Sequence, residues 1–142
     1  KNVVFRPAEP KEMMPDVWGL CDVALVHLRN SSVFSEVVPS KLFEAMAMHI
    51  PVLLAAPPGE ASKIVEREGA GLAVRAEDPD ALAAAIIKLA NDSDLRERLG
   101  AAGYSSASKF TRVRQAEEML QVLEIAAAGW GDRAGVGNHA LR

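Results

Sequence analysis

Four short apolar runs, separated by stretches with helical patterning, constrain this chain more than any other feature. They are Asn2 to Arg6 (N-V-V-F-R), Asp22 to Leu28 (D-V-A-L-V-H-L), Val52 to Ala55 (V-L-L-A) and Gly71 to Val74 (G-L-A-V). Strands that alternate with helices pair side by side through crossovers, so the pattern demands a parallel sheet with right-handed connections. Runs this apolar suit strands covered on both faces. The expected order is β-α-β-α-β-α-β-α-α-α, an α/β domain with about four parallel strands.

The stretches between carry start and stop signals. Lys11 to Cys21 holds Met13, Met14, Val17, Trp18 and Leu20 in an amphipathic pattern, with Pro15 at or just ahead of its first turn. Ser40 to about Met48 predicts a helix, with Leu42 and Met46, and Phe43 and Ala47, as i, i+4 pairs on adjoining faces. Glu60 to Glu68 predicts a short helix facing inward through Ala61, Ile64 and Val65, stopped by Gly69. Asp78 followed by Pro79 marks another start, running to about Ala90 with Leu82, Ile86 and Leu89 on one face. Asp92 or Ser93 caps the next helix, Asp94 to about Ser106, whose charges mark a solvated face. Thr111 caps the last, to about Ala128, with Val113, Ala116, Leu120 and Leu123 at heptad-like spacing. From Gly129 the periodicity ends. The reading is one domain over 1–128 and a disordered tail over 129–142.

With 142 residues, 49% of them hydrophobic, the chain has material for one core. Its net charge of −3 argues against a nucleic-acid partner. A lone cysteine, Cys21, excludes a disulfide framework and a zinc cluster, and points to a reducing, cytoplasmic compartment. No apolar run approaches the ~18 residues of a bilayer span. The opening at Lys1, with neither Met nor signal peptide, reads as that of a fragment.

The chemistry concentrates between Glu36 and Ala55, a loop, a helix and a strand. Glu36 and Glu44 lie eight positions apart, one ahead of the helix and one in its second turn. Glu44 sits on an otherwise apolar helix, where a buried charge needs a partner or a ligand. The free N–H groups near Ser40 and Lys41, with the helix dipole, make an anion site. Carboxylates flanking such a site suit a phosphate ester with hydroxyls on both sides, and a nucleotide diphosphate sugar fits that description.

At these residues the chain resembles a known family. E-x7-E followed by A-M-A-x-x-x-P-V is similar to the donor-binding motif of retaining glycosyltransferases of the family 4, or group 1, type in the GT-B fold. The variant S-x-V-V-P-S-K-L-F-E-A-M-A resembles bacterial members that build surface polysaccharides. The spacing of the two acids alone is weak. Together with P-S-K-L-F-E-A-M-A and I-P-V it is more specific. The resemblance runs from about Val3 to Ala128 and implies a Rossmann-like, three-layer donor domain, the truncated C-terminal half of a GT-B fold.

By that resemblance Glu44 holds the ribose hydroxyls of the donor and Glu36 faces the reacting centre as the catalytic carboxylate, stabilising positive charge at the anomeric carbon. Some relatives with P-S-K-x-F-E carry no Glu at the first position. The backbone N–H groups of Val37, Val38 and Ser40, with Pro39 among them, belong to the diphosphate site, and Ser40 is equally read as a helix cap. Lys41 neutralises phosphate or is a solvated helix lysine. Arg29 and Ser35 read as ordinary loop residues. His27, at a strand's carboxyl end, reads as structural, with a role as a base the weaker alternative. Trp18, Phe43 and the methionines read as core. His49 stands where the family usually has Gly, a departure that bears on the turn rather than on function.

The resemblance implies a donor linked to UDP, GDP or ADP, no cofactor and no metal. It also implies an acceptor sugar or lipid-linked sugar bound through an N-terminal domain that this chain lacks. Of a six-strand sheet ordered 3-2-1-4-5-6, strands 3 to 6 would be here. The first strand is then expected to pair with the second, or the exposed edge to be covered by another chain. The last helix would dock on this domain or on a second copy, so a homo-oligomer is one expectation. The chain alone is expected to be inactive, and the whole enzyme to be cytoplasmic, with peripheral contact at the membrane's inner face. Two alternatives stand beside this reading: a flavodoxin-like binding module without catalysis, and a nucleotide-sugar epimerase of the same two-domain fold.

Overall fold

The computed structural model describes residues 2–135. Val52, Leu53 and Leu54 of strand β2 (Val52–Ala56) are 0–1% exposed. Such burial on both faces follows from a central position: β2 pairs in parallel with β1 (Ala24–His27) on one side and β3 (Gly71–Arg75) on the other. The register sets Ala24 opposite Val52 and Val52 opposite Gly71. Leu53 packs with Ala85 and Leu89 of helix α5 (Pro79–Asn91). Alternation turns Val52 and Leu54 to the opposite face, where α3 (Ser40–Ala47) and α4 (Glu60–Arg67) contact the sheet. An α/β architecture with a parallel sheet is what the alternating pattern predicts.

The sheet has three strands among the described residues, not four. Asn2 to Arg6 is not a strand: Val3, Val4 and Phe5 are 66%, 84% and 94% exposed. An extended segment gains stability only from ladder hydrogen bonds and cover for its side chains. No described strand lies beside this one, so the expected pairing with β1 is not formed. The predicted helix over Lys11 to Cys21 is also shorter. A 3-10 turn (Lys11–Met13) leads into α1 (Met14–Trp18), with Pro15 in its first turn and Gly19 at its end, and Leu20 beyond it is exposed.

The predicted loop between β1 and α3 contains a one-turn helix, α2 (Ser32–Ser35). It is capped by the Ser31 hydroxyl, which accepts the Val33 N–H at 3.4 Å. The predicted caps at Asp78 and Asp92 hold: their carboxylates accept the Ala81 and Leu95 N–H groups at 3.0 and 2.8 Å. Helix α6 (Ser93–Ala107) presents a solvated face, as its charges predict. Its buried face, however, is made of Gly100, Gly103 and Ser106, and it contacts α3.

Two compact units divide the chain, Lys1–Ser108 and Lys109–Arg142. The second holds α7 (Arg112–Gly135), which begins at the predicted Thr111 cap and continues past the predicted end at Ala128. The rest of the expected tail lies outside the described residues. Among the described residues no helix is long and apolar enough to cross a membrane.

Candidate functional site

Helix α3 is anchored by Leu42, Ala45 and Met46, all 0% exposed. Pro39 is its N-cap, with φ −68° and ψ 136°, and supplies no side-chain acceptor. The Leu42 N–H bonds back to the Pro39 carbonyl at 3.1 Å. The amides of Ser40 and Lys41, the two residues just ahead of Leu42, have no acceptor among the described residues, which leaves the positive end of the helix dipole open. Ser40 is the first helical residue, and its hydroxyl makes no cap bond.

Anchoring one face turns the other outward. Lys41 and Glu44, three residues apart, are both exposed. The premise that Glu44 carries a buried charge is therefore corrected: only Leu42, Ala45 and Met46 of α3 are buried, and Glu44 lies on the outward face. That face does not open onto bare solvent. Lys41, Glu44 and Met48 line a cleft of about 590 Å³ whose other wall is Glu9, Lys11, Met14, Pro15 and Trp18. The cleft combines an aromatic and apolar wall with two ammonium groups and two carboxylates. An apolar lining with a few charged groups is the general make-up of a small-molecule site. Trp18 lines the cleft while its indole N–H is buried without a partner among the described residues.

Glu36 is the C-cap of α2 and exposed. It is not among the residues lining the Glu44 cleft; nor are Val37, Val38, Pro39 and Ser40, which connect the two acids along the chain. Val38 and Pro39 are half-buried, whereas Val37 is 37% exposed.

A second concavity opens at the carboxyl ends of all three strands, where open α/β sheets take ligands. It has a volume of about 530 Å³ and is lined by His27, Arg29, Ala55, Arg75, Glu77 and Asp78 among others. A neighbouring hollow of about 380 Å³ adds Asn30, Pro57 and Pro58. These share no lining residue with the Glu44 cleft. Asp78 is held below its ordinary pKa of 3.8, first by the Ala81 N–H and then by the Arg75 guanidinium at 3.2 Å.

Sequence reasoning missed Glu9, Lys11, Arg75 and Glu77 as cavity residues and read Trp18 as plain core. Glu9 precedes Pro10, where no periodicity assigns a side chain to a face, and Lys11 opens the amphipathic stretch as a polar residue outside its apolar pattern. Glu77 has a backbone φ of 60°, which nothing in a stretch such as R-A-E-D-P announces.

None of the curated proteins matches the chain. A family model described as "Glycosyl transferases group 1" matches residues 1–106 of the 142, spanning the cleft, α3 and the whole sheet, and the chain belongs to that family of glycosyltransferases.

Proposed function

We propose that this chain is the donor-binding part of a retaining glycosyltransferase of the GT-B fold, family 4 type. It would bind a sugar linked to UDP, GDP or ADP. In the whole enzyme the sugar moves to an acceptor hydroxyl, held by a further domain, in the synthesis of a polysaccharide or glycolipid at the cytoplasmic face of a membrane. The observation that carries the reading is that Glu44 and Lys41 line one cleft with Trp18, with Glu44 one turn along α3 from the open amides of Ser40 and Lys41.

Each part has a physical role. Glu44 accepts hydrogen bonds from the ribose hydroxyls, and the apolar wall with Trp18 covers the nucleoside. The amides at the start of α3, with the Lys41 ammonium, hold the diphosphate and stabilise the negative charge that grows on it as its bond to the sugar breaks. Glu36, ahead of the helix, faces the sugar and stabilises the positive charge developing at the anomeric carbon. The acceptor hydroxyl gives its proton to the departing diphosphate as its oxygen bonds the anomeric carbon on the same face, which retains the configuration. Val37, Val38 and Pro39 shape the turn between the two acids and contribute through their backbone.

Titration of the chain with UDP, GDP and ADP, followed through backbone amide resonances, tests this. Binding is expected to shift the amides of Ser40, Lys41 and Glu44, and Glu44→Ala to weaken it roughly 10- to 100-fold, the worth of a hydrogen bond to a charged group. A folded chain whose amides at Ser40 and Glu44 ignore all three nucleotides would sink the reading.

A further inference from the structure

The loop that carries Glu36 is gripped at both ends by the turns that follow the other two strands. At its start, the Asn30 N–H donates to Glu77 Oε1 at 3.1 Å, a contact between residues 47 apart in the chain. Glu77 lies in the turn between β3 and α5, and its φ of 60° is one that a residue with a side chain adopts at a cost. Glycine would occupy that turn without strain but could not supply the carboxylate. At the loop's other end, Ser35 lies against Gly59, in the turn between β2 and α4. A β-carbon at 59 would come within 3.0 Å of the Ser35 Cα and closer still to its carbonyl. Glu36 follows immediately.

We propose that Glu77 and Gly59 are positioning residues: they hold the segment from Asn30 to Glu36 in one conformation before any donor arrives. The strain at Glu77 is tolerated because its side chain anchors a loop that no strand pairing holds. The bare Cα of Gly59 lets the backbone of Ser35 seat directly on the β2–α4 turn. Glu36 is thereby presented without an ordering cost at the moment of binding, which is how preorganisation raises affinity. The consequence for affinity rests on the donor-site reading above, whereas the anchoring of the loop does not.

The test uses the whole chain with Glu77→Ala, Glu77→Gly, Glu77→Gln and Gly59→Ala. Amide hydrogen exchange is followed without ligand, affinity for UDP-, GDP- and ADP-glucose, which carry the sugar that Glu36 would face, by calorimetry, and stability by thermal unfolding. In the Ala and Gly variants at 77, exchange at Asn30 is expected to quicken roughly tenfold, the loss of one hydrogen bond. Affinity for the nucleotide sugar is expected to fall roughly three- to tenfold. Gln, which keeps an acceptor oxygen, stays close to wild type. Glu77→Gly melts no lower than wild type while binding more weakly, a split that a purely structural role would not produce. Gly59→Ala weakens binding likewise, and if it fails to fold, the variants at 77 decide. Unchanged exchange from Asn30 to Glu36 in Glu77→Ala and Glu77→Gly overturns the proposal, as does quickened exchange with unchanged affinity. Wild-type protein that binds none of the three nucleotide sugars overturns the donor-site reading and the role in affinity with it, and the exchange data alone then decide whether the loop is anchored.

Discussion

Gly100 of helix α6 lies directly on His49: a β-carbon at 100 would press into the His49 carbonyl and come within 2.9 Å of its ring. His49 has a φ of 61°, in the turn between α3 and β2. Its Nε2 is 3.2 Å from Glu97 Oε1, and its ring meets that of Tyr104 at 5.8 Å. Both partners come from α6, so the side chain at 49 is held by the helix that also crowds its backbone. Gly100→Ala is expected to destabilise by about 1–3 kcal/mol, the usual range for overpacking. His49→Gly relieves the left-handed backbone at the loss of two exposed contacts, and is expected to leave stability within about 1 kcal/mol of wild type. Urea unfolding of both variants decides. If Gly100→Ala proves as stable as wild type, α6 does not seat here.

Burial separates two apolar residues that the sequence presents alike. Leu42 is 0% exposed and Phe5 is 94% exposed. Leu42→Ala is expected to cost about 2–5 kcal/mol, whereas Phe5→Ala should stay within about 0.5 kcal/mol. Calorimetric melting of the pair checks this. A large loss at Phe5 would show that Asn2 to Arg6 is packed in solution.

Asp78 makes the first turn of α5 sensitive to acid. The fold favours its carboxylate, so its folded pKa lies below the ordinary 3.8. The stabilisation is then complete above that value and is lost as the pH falls through the lower, folded one. Asn at 78 keeps an acceptor for the Ala81 N–H but carries no charge. The stability difference between wild type and Asp78→Asn is expected to be constant from pH 7 to 5 and to shrink below pH 4, measured by unfolding at each pH.

Lys41 should act as a charge and little else. Lys41→Met is expected to weaken diphosphate binding roughly 3- to 30-fold at low salt, by an amount that narrows as ionic strength rises. Stability should move by less than about 0.5 kcal/mol, because the side chain is exposed. Calorimetric titration with UDP at two salt concentrations separates this from loss of a packing contact, which salt would not change.

Local pattern was enough for much of the molecule. The apolar runs beginning at Asp22, Val52 and Gly71 could only be parallel strands, because helical stretches separate them. Asp78-Pro79 and Asp92 named two helix starts through short-range hydrogen bonding, and the residues from Pro39 to Ala47 named α3 and the family. Each of these signals acts within a few residues, so it survives without knowledge of the fold.

What remained depended on partners distant in sequence. Asn2 to Arg6 has the composition of a strand, but a strand exists only when another lies beside it. Glu44 sits among apolar neighbours on its helix, yet only packing decides which face turns inward. The buried face of α6 is glycine and serine, so apolar periodicity could not mark it. The link from Asn30 to Glu77 joins two turns that meet only because β1 and β3 flank β2. Periodicity encodes which side of an element avoids water. It carries no information about which other element will cover that side, and that choice belongs to the tertiary structure.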